Sequence, residues 1–420
     1  MTSSLAHASV DFLRQFVAPA MLGYEFRKEQ ERLIETCASC IEHGSLLLAE
    51  AGTGTGKTFA YLIPAIVSGK RTIVSTRTIN LQEQLIRKDL AFLSSLVDLP
   101  YAIAKGRSHY LCLRRLNAFR CESITEEQEY LRLTQWAEMT KYGDIEEFGI
   151  ACASIWDRLY ADADACKGRT CSFFSKCFYY EARRHWENAA IIIANHALVA
   201  INALFSAESK ILPSAEILII DEAHSLEKTL SDQIGIVISN RSLEYLLNKL
   251  LRSDERGTYK GLLALSPSLF PTVQSVRNRL TDLWLAIRKQ YHDRQLIRGP
   301  VLVEDELTTV QESIISLMDA LPAATTGLYA ENEEIELKAV LLKLDAYLSA
   351  INEFLREPFD TVRWAEVELK KVALRMAPLY PHTFIQKNLL PDYETVLLTS
   401  ATLSINGDFR FMKKLLGIEH

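Results

Sequence analysis

The chain has 420 residues, 48% hydrophobic and 24% charged, with a formal net charge of −6. That length holds two or three domains, and that composition suits a globular protein rather than a disordered or fibrous one. The charge excludes a strong overall attraction to nucleic acid, so any such contact is local, along a groove. No apolar run reaches the roughly 18 residues that span a bilayer. The start, Met1-Thr2-Ser3-Ser4-Leu5, lacks a basic segment leading into an apolar core, so no secretory signal is visible and a cytoplasmic chain with no membrane partner is expected.

Residues 1–23 predict one helix and a linker. Tyr24-Glu25-Phe26-Arg27-Lys28-Glu29-Gln30 opens a second helix, with Leu33, Ile34, Cys37 and Ile41 at helical spacing. Gln30 lies shortly before a glycine-rich turn, and its amide is suited to reading an adenine edge.

The apolar run Leu46-Leu47-Leu48, the stretch Ala51-Gly52-Thr53-Gly54-Thr55-Gly56-Lys57-Thr58 and the run Phe59 to Pro64 predict strand, turn and helix. The glycines let backbone N–H groups of Gly52 to Gly56 turn inward around a phosphate, at the positive end of the following helix. Lys57 is placed to meet the β and γ phosphates, and the Thr58 hydroxyl to ligate Mg²⁺. The pattern is G-x-x-x-x-G-K-[ST] with Ala51 at the first glycine position.

Arg71 to Ser75 is strand-like and runs into a polar loop and a helix at Leu81 to Leu85. Loops at the carboxyl ends of parallel strands are where α/β sheets bind ligands. Ser75, Thr76 and Arg77 carry groups that hold a phosphate backbone, although Thr78 also makes this a capped helix start.

From Lys105 to Arg120 there are five basic residues and no acidic ones, Lys105 and Arg107 leading. Cys112 closes this phrase, and Cys166, Cys171 and Cys177 follow at C-x4-C-x5-C spacing. In a reducing compartment such thiols bind zinc or an iron–sulfur cluster. Paired C-x2-C knuckles are missing, which suits a [4Fe–4S] cube better than a zinc ribbon. Cys37, Cys40, Cys121 and Cys152 are then ordinary thiols, the first two half-buried one helical turn apart.

Two all-apolar strands follow, Ala190 to Ala194 ending in Asn195-His196, and Ile217 to Ile220 ending in Asp221-Glu222-Ala223-His224. Such runs suit strands covered on both faces of a parallel sheet. Asp221 at a strand end suits Mg²⁺, and Glu222 suits orienting or deprotonating an attacking water. Residues 230–360 read as helical, with leucine-rich stripes at Leu243 to Leu251, Val273 to Ile287 and Leu337 to Ile351. Strand character returns at Thr361 to Ala365 and Thr395 to Leu403, where the hydroxyls of Ser400 and Thr402 can sense a γ-phosphate.

Ala51 to Thr58, Asp221 to His224 and Ser400-Ala401-Thr402 resemble motifs I, II and III of superfamily 2 helicases, in order. Lys105-Gly106-Arg107, Tyr110 and the four spaced cysteines resemble the iron–sulfur domain of the DinG/XPD helicases. Asn195-His196 and Ala377-Pro378-Leu379 resemble the bacterial DinG branch.

The resemblance implies an α/β fold: a RecA-like P-loop sheet with an inserted iron–sulfur domain and an inserted helical Arch domain. The expected limits are 1–104, 179–229 and 366–420 for the RecA-like part, 105–178 for the cluster domain and 230–365 for the Arch. It implies ATP, Mg²⁺ and a [4Fe–4S] cluster on Cys112, Cys166, Cys171 and Cys177. It implies ATP-driven 5′ to 3′ unwinding of DNA, single-stranded and forked DNA as partners, and a nucleoid-associated setting.

Gln30 would contact adenine, and Gly52, Thr53, Gly54, Thr55, Gly56, Lys57, Thr58, Asp221 and His224 would surround the nucleotide. Glu222 would act in catalysis, and Ser75, Thr76, Arg77, Lys105 and Arg107 would contact DNA. Nothing in the sequence matches the family's second RecA-like domain, so a separate C-terminal helicase half is an expected partner. The competing expectation is a truncated, non-motor protein that binds ATP, nucleic acid and a cluster. A P-loop kinase fits poorly, because it has no use for D-E-A-H or the cysteines.

Overall fold

The computed structural model describes residues 4–52, 54–149, 153–254, 257–325, 330–356 and 359–418. The chain forms two compact units: Met1–Gly106, Phe178–Gln233 and Tyr380–His420 make the first, and Arg107–Cys177 with Ile234–Leu379 the second.

The first unit is built on a six-stranded sheet. Its strands are β1 (Leu46–Glu50), β2 (Thr72–Thr76), β3 (Tyr101–Ile103), β4 (Ile191–Asn195), β5 (Ile217–Asp221) and, last in the chain, the strand Thr395–Ser400. The order from one edge is β1, Thr395–Ser400, β5, β2, β4, β3. Every neighbouring pair is parallel. The all-apolar runs of β4 and β5 are fully buried because helices cover both faces. The three-residue β3 carries no periodic signal and was not expected.

The helix Leu5–Phe12 runs through a wide π-type turn, Leu13–Val17, into Ala18–Ala20. It packs with the helices Lys28–His43 and Lys57–Ser68 around Leu13, Val17, Ile34, Ile41, Leu62 and Ile63. Each fully buried aliphatic side chain contributes about 1.5–3 kcal/mol. Cys37 and Cys40 lie in this core, fully rather than half buried. No helix among the described residues is long and apolar enough to cross a membrane.

The second unit corrects the helical expectation for 230–360 and extends the strand character expected at Thr361 to Ala365. It contains β6 (Ile236–Ser239), the two-residue ladder β7 (Arg252–Ser253) with β8 (Tyr259–Lys260), β9 (Arg294–Ile297), β10 (Thr361–Val367) and β11 (Val372–Pro378). β6, β11, β10 and β9 form an antiparallel sheet in that order.

The expected break at 365/366 is therefore wrong. Val372 pairs with Val367 across a tight turn in which Glu368 N–H donates to Lys371 O at 2.8 Å. That hairpin keeps residues up to Leu379 in the second unit, so Ala377-Pro378 ends a strand of this sheet. The helices Asn240–Leu250, Phe270–Gln290 and Glu331–Arg356 bury the anticipated stripes around Leu247, Leu283, Leu344 and Ile351, and the helix Glu304–Thr325 joins the same core through Leu307, Val310 and Ile314. The two inserted segments, expected as separate domains, pack together through Arg114 and Arg115 on Glu336.

Candidate functional site

The glycine-rich loop joins β1 to the helix Lys57–Ser68. Gly54 and Gly56 sit at φ 82° and 77°, where only glycine is at ease, and Gly56 caps the helix. Thr55 Oγ1 donates to Gly52 O at 2.9 Å. Thr53 lies outside the described residues.

Gln30 packs directly on Gly56, and a Cβ there would stand 2.1 Å from Gln30 Nε2. Its Nε2 donates to Gly56 O at 3.1 Å, and its Oε1 accepts from Tyr24 at 3.0 Å. Gln30 is 3% exposed, and its amide braces the loop. Arg27 adds a guanidinium hydrogen bond to Gly54 O.

At the carboxyl end of β5, Lys57 Nζ lies 3.2 Å from both Asp221 Oδ1 and Glu222 Oε1. Glu222 adopts the left-handed conformation, φ 58° and ψ 46°, which is strained for a side chain with a Cβ. The strain turns its carboxylate toward Lys57 and toward Ser400, whose Oγ donates to Glu222 Oε2 at 3.1 Å. His224 Nδ1 meets the same Ser400 hydroxyl at 2.8 Å. Burial pushes the Glu222 carboxyl up, but Lys57 and the Ser400 hydrogen bond outweigh it and hold the group below the usual range.

Asp221 is held from three sides. Tyr61 donates to Oδ2 at 3.3 Å, Thr399 to Oδ1 at 3.4 Å, and the Glu222 N–H to Oδ1 at 3.0 Å. Tyr61 is fully buried, and burial raises its phenol well above the ordinary value, with Asp221 adding to the rise. Thr58, one turn earlier on the same helix, eases that rise, so Thr58 and Asp221, two oxygen donors suited to Mg²⁺, both act on one phenol.

The strand Thr395–Ser400 ties the third motif to the first, with Ala51 N–H donating to Ser400 O at 3.0 Å. Glu50 then clamps the following turn, accepting from Leu403 N at 2.6 Å and from Ser404 Oγ at 3.0 Å. Those hydrogen bonds, led by the backbone of Ser404, hold the Glu50 carboxyl below its usual range. Ser400 is buried, while Thr402 stands in solvent.

The expected nucleic-acid residues divide sharply. Ser75 and Thr76 are buried, not on a surface. Ser75 Oγ lies 2.6 Å from His196 Nδ1, and Thr76 Oγ1 donates to Thr78 O at 3.2 Å. Lys105 is 1% exposed, with its ammonium 2.7 Å from Glu83. Arg77 is exposed and Arg107 half-buried. The side chains of Ser75, Thr76 and Lys105 therefore face inward, and Arg77 alone of the five stands fully in solvent.

His196 was read only as part of a motif. It is fully buried, and burial lowers its imidazole to about 4, with the backbone of Glu222 and Asp221 opposing. It touches Ser75 at the end of β2 and lies beside the carboxylate pair after β5. Tyr61, Glu50 and His196 escaped the sequence reading because their partners lie far away in the chain.

In the second unit, Cys112 caps the helix Leu113–Ala118, and Cys166, Cys171 and Cys177 border the short turns Gly168–Thr170 and Phe174–Lys176. Arg114 Nη2 donates to Ala165 O at 2.9 Å, drawing the first thiol's helix to the loop of the second. All four are free thiols. Tetrahedral zinc, with Zn–S of about 2.3 Å, packs its sulfurs roughly 3.8 Å apart. Among the described residues no three of these thiols gather within 4.8 Å. Four such thiols are soft donors of the kind that hold zinc or an iron–sulfur cluster. Cys152 lies outside the described residues.

A family model described as DEAD/DEAH box helicase matches residues 27–131, and the DEAD_2 model matches residues 107–243. The chain is 29% identical over 417 residues to the ATP-dependent DNA helicase YoaA of Haemophilus influenzae, covering 95% of this chain and 63% of that protein. It is 27% identical to the 3′-5′ exonuclease DinG of Bacillus subtilis, over 95% of this chain and 48% of that one. It is 34% identical to the ATP-dependent helicase DinG of Mycobacterium tuberculosis, over 62% of this chain and 43% of the relative. The chain thus spans between 43% and 63% of the length of these three relatives. With P-loop, D-E-A-H and Ser-Ala-Thr strand ends side by side in one parallel sheet, the chain belongs to the DinG/XPD-like family of superfamily 2 helicases.

Proposed function

We propose that the chain is the ATP-binding part of a 5′ to 3′ DNA helicase, acting on single-stranded and forked DNA in the cytoplasm during repair or replication. One observation carries this reading: Lys57, Asp221, Glu222, His224 and Ser400 form one hydrogen-bonded network at adjacent strand ends.

The residues divide the work. The loop N–H groups cradle the phosphates, and Lys57 exchanges its carboxylate partners for phosphate oxygens. Thr58 and Asp221 would hold Mg²⁺, which would neutralise phosphate charge when bound. Glu222, kept ionised by its surroundings, accepts a proton from the attacking water. Ser400 and His224 hold the second Glu222 oxygen, so loss of the γ-phosphate is felt at the turn that Glu50 clamps. His196 links that region to the end of β2, beside exposed Arg77, on the side proposed to face DNA.

In the second unit, Cys112, Cys166, Cys171 and Cys177 would hold a [4Fe–4S] cluster, in an iron–sulfur module beside an Arch-like one. When bound, the cluster supplies metal–sulfur bonds that staple the turn-rich loop to the helix Leu113–Ala118.

DNA-stimulated ATP hydrolysis, measured with and without a supplied C-terminal helicase half, tests the proposal. Stimulation that requires both DNA and the added half supports a motor. Nucleotide binding that DNA and the added half leave silent supports the non-motor alternative.

A further inference from the structure

A cavity of about 260 Å³ lies wholly within the second unit, between its two inserted segments. Six basic side chains line it: Arg114, Arg115, Arg120, Arg158, Lys249 and Arg252. Two of the lining carboxylates are shared among four guanidiniums. Glu336 accepts from Arg114 at 2.7 Å and from Arg115 at 2.6 Å, and Glu122 accepts from Arg158 at 3.2 Å and from Arg252. The third, Glu333, accepts from the Ala330 N–H at 2.9 Å.

Lys249 has no carboxylate within ion-pair distance among the described residues. Its ammonium lies 5.1 Å from the Tyr245 ring, on its own helix. Burial lowers it to about 8, and Arg115 and Lys343 push the same way against Glu336 and Asp162. A half-buried lysine beside arginines, without its own counter-ion, is stabilised by an arriving anion.

The lysine is also fixed in place. Leu262 N–H donates to Lys249 O at 3.0 Å, and Leu263 N–H to Leu250 O at 2.8 Å. Gly261, at φ 106°, lets the chain close on this helix end; a Cβ there would meet the Leu250 and Lys249 carbonyl oxygens at 2.7 and 2.9 Å.

The lining suits phosphate better than a base. Phe119 is its aromatic lining residue, and its ring is already covered by Arg158 at 4.6 Å and stacked with Tyr130 at 5.5 Å. Its volume falls below the ≈ 300–1,000 Å³ typical of drug-sized ligands. Guanidinium forks with an ammonium are the groups that recognise phosphoryl oxygens.

We infer that this cavity is a second phosphate site, separate from the P-loop, that takes a terminal, dianionic phosphate group: inorganic phosphate or the terminal phosphate of a nucleic-acid strand. The test uses the full chain carrying Lys57→Ala, which removes the P-loop contribution. Calorimetric titration with inorganic phosphate should show saturable binding, weakened about tenfold or more by Lys249→Met and kept by Lys249→Arg. Arg120 is exposed, so Arg120→Gln leaves the fold intact and should weaken binding several-fold even if Lys249→Met perturbs packing.

Oligonucleotides with and without a terminal phosphate then separate the sources. A terminal-phosphate preference that Lys249→Met removes assigns the site to strand ends. Saturable inorganic phosphate binding with no such preference assigns it to the free ion. Absence of phosphate binding to the Lys57→Ala chain, or binding that neither the Lys249→Met nor the Arg120→Gln change weakens, overturns the inference.

Discussion

His196 shows how one buried side chain sets a pH response. Its folded-state pKa is about 4, below the ordinary 6.5, because burial disfavours the charged ring. The unfolded chain therefore binds a proton in this window that the folded chain refuses. The stabilisation is full above the ordinary value and is lost as pH falls toward 4, up to about 3 kcal/mol. Thermal melts should show Tm falling from pH 6.5 toward 5, with a shallower slope for His196→Asn. Asn keeps a polar atom for Ser75 without a titrating ring, so an unchanged slope would assign the pH response to other groups. At the same scale, the residue types of Ser75, Thr76 and Lys105 misled the sequence reading. Polar and basic side chains look exposed in a sequence, and only their partners, His196, Thr78 and Glu83, reveal the burial.

At the scale of elements, the strand ends that carry the nucleotide residues were legible. A strand covered on both faces leaves an unbroken apolar run, and β4 and β5 leave such runs just before Asn195 and Asp221. The hairpin from β10 to β11 was not legible, because its turn, Glu368-Leu369-Lys370-Lys371, holds no glycine or asparagine to signal it. The P-loop yields a steric prediction. Gly56→Ala forces a Cβ into Gln30 at φ 77°, so it should abolish measurable binding of a fluorescent ATP analogue while circular dichroism stays native. The cysteine-bearing turns yield a spectroscopic one. Protein purified without oxygen should be yellow-brown with about four irons per chain. Changing Cys112, Cys166, Cys171 or Cys177 to Ser should bleach it, whereas changing Cys37, Cys40, Cys121 or Cys152 should not. Cys37, pushed up to about 12 by burial, should also resist thiol reagents at neutral pH. Zinc without iron in anaerobic protein would overturn the cluster proposal.

At the scale of the molecule, the chain crosses between its two units at residues 106/107, 177/178, 233/234 and 379/380. Composition and cysteine spacing marked the insertions, but only the sheet β6-β11-β10-β9 fixed where the second one ends. Among the described residues, the basic groups touching the Asp221 and Glu222 carboxylates are Lys57 and His224. An arginine finger in phosphoryl transfer is worth roughly 10³–10⁵ in rate, so these 420 residues alone should hydrolyse ATP slowly. They should bind single-stranded DNA in a salt-sensitive way and leave a 5′-tailed duplex intact in a strand-displacement assay. Robust strand displacement by this chain alone would mean that it supplies its own arginine.

In the proposed site Lys57 holds the triphosphate and Glu222 serves hydrolysis. Binding of a fluorescent ATP analogue with Mg²⁺, paired with phosphate release in the presence of DNA and a supplied C-terminal half, separates the two roles. Glu222→Gln should bind like the wild type and lose turnover by about a hundredfold or more, while Lys57→Ala should lose both binding and turnover. Tight analogue binding by Lys57→Ala, or turnover undiminished in Glu222→Gln, would contradict this assignment of roles.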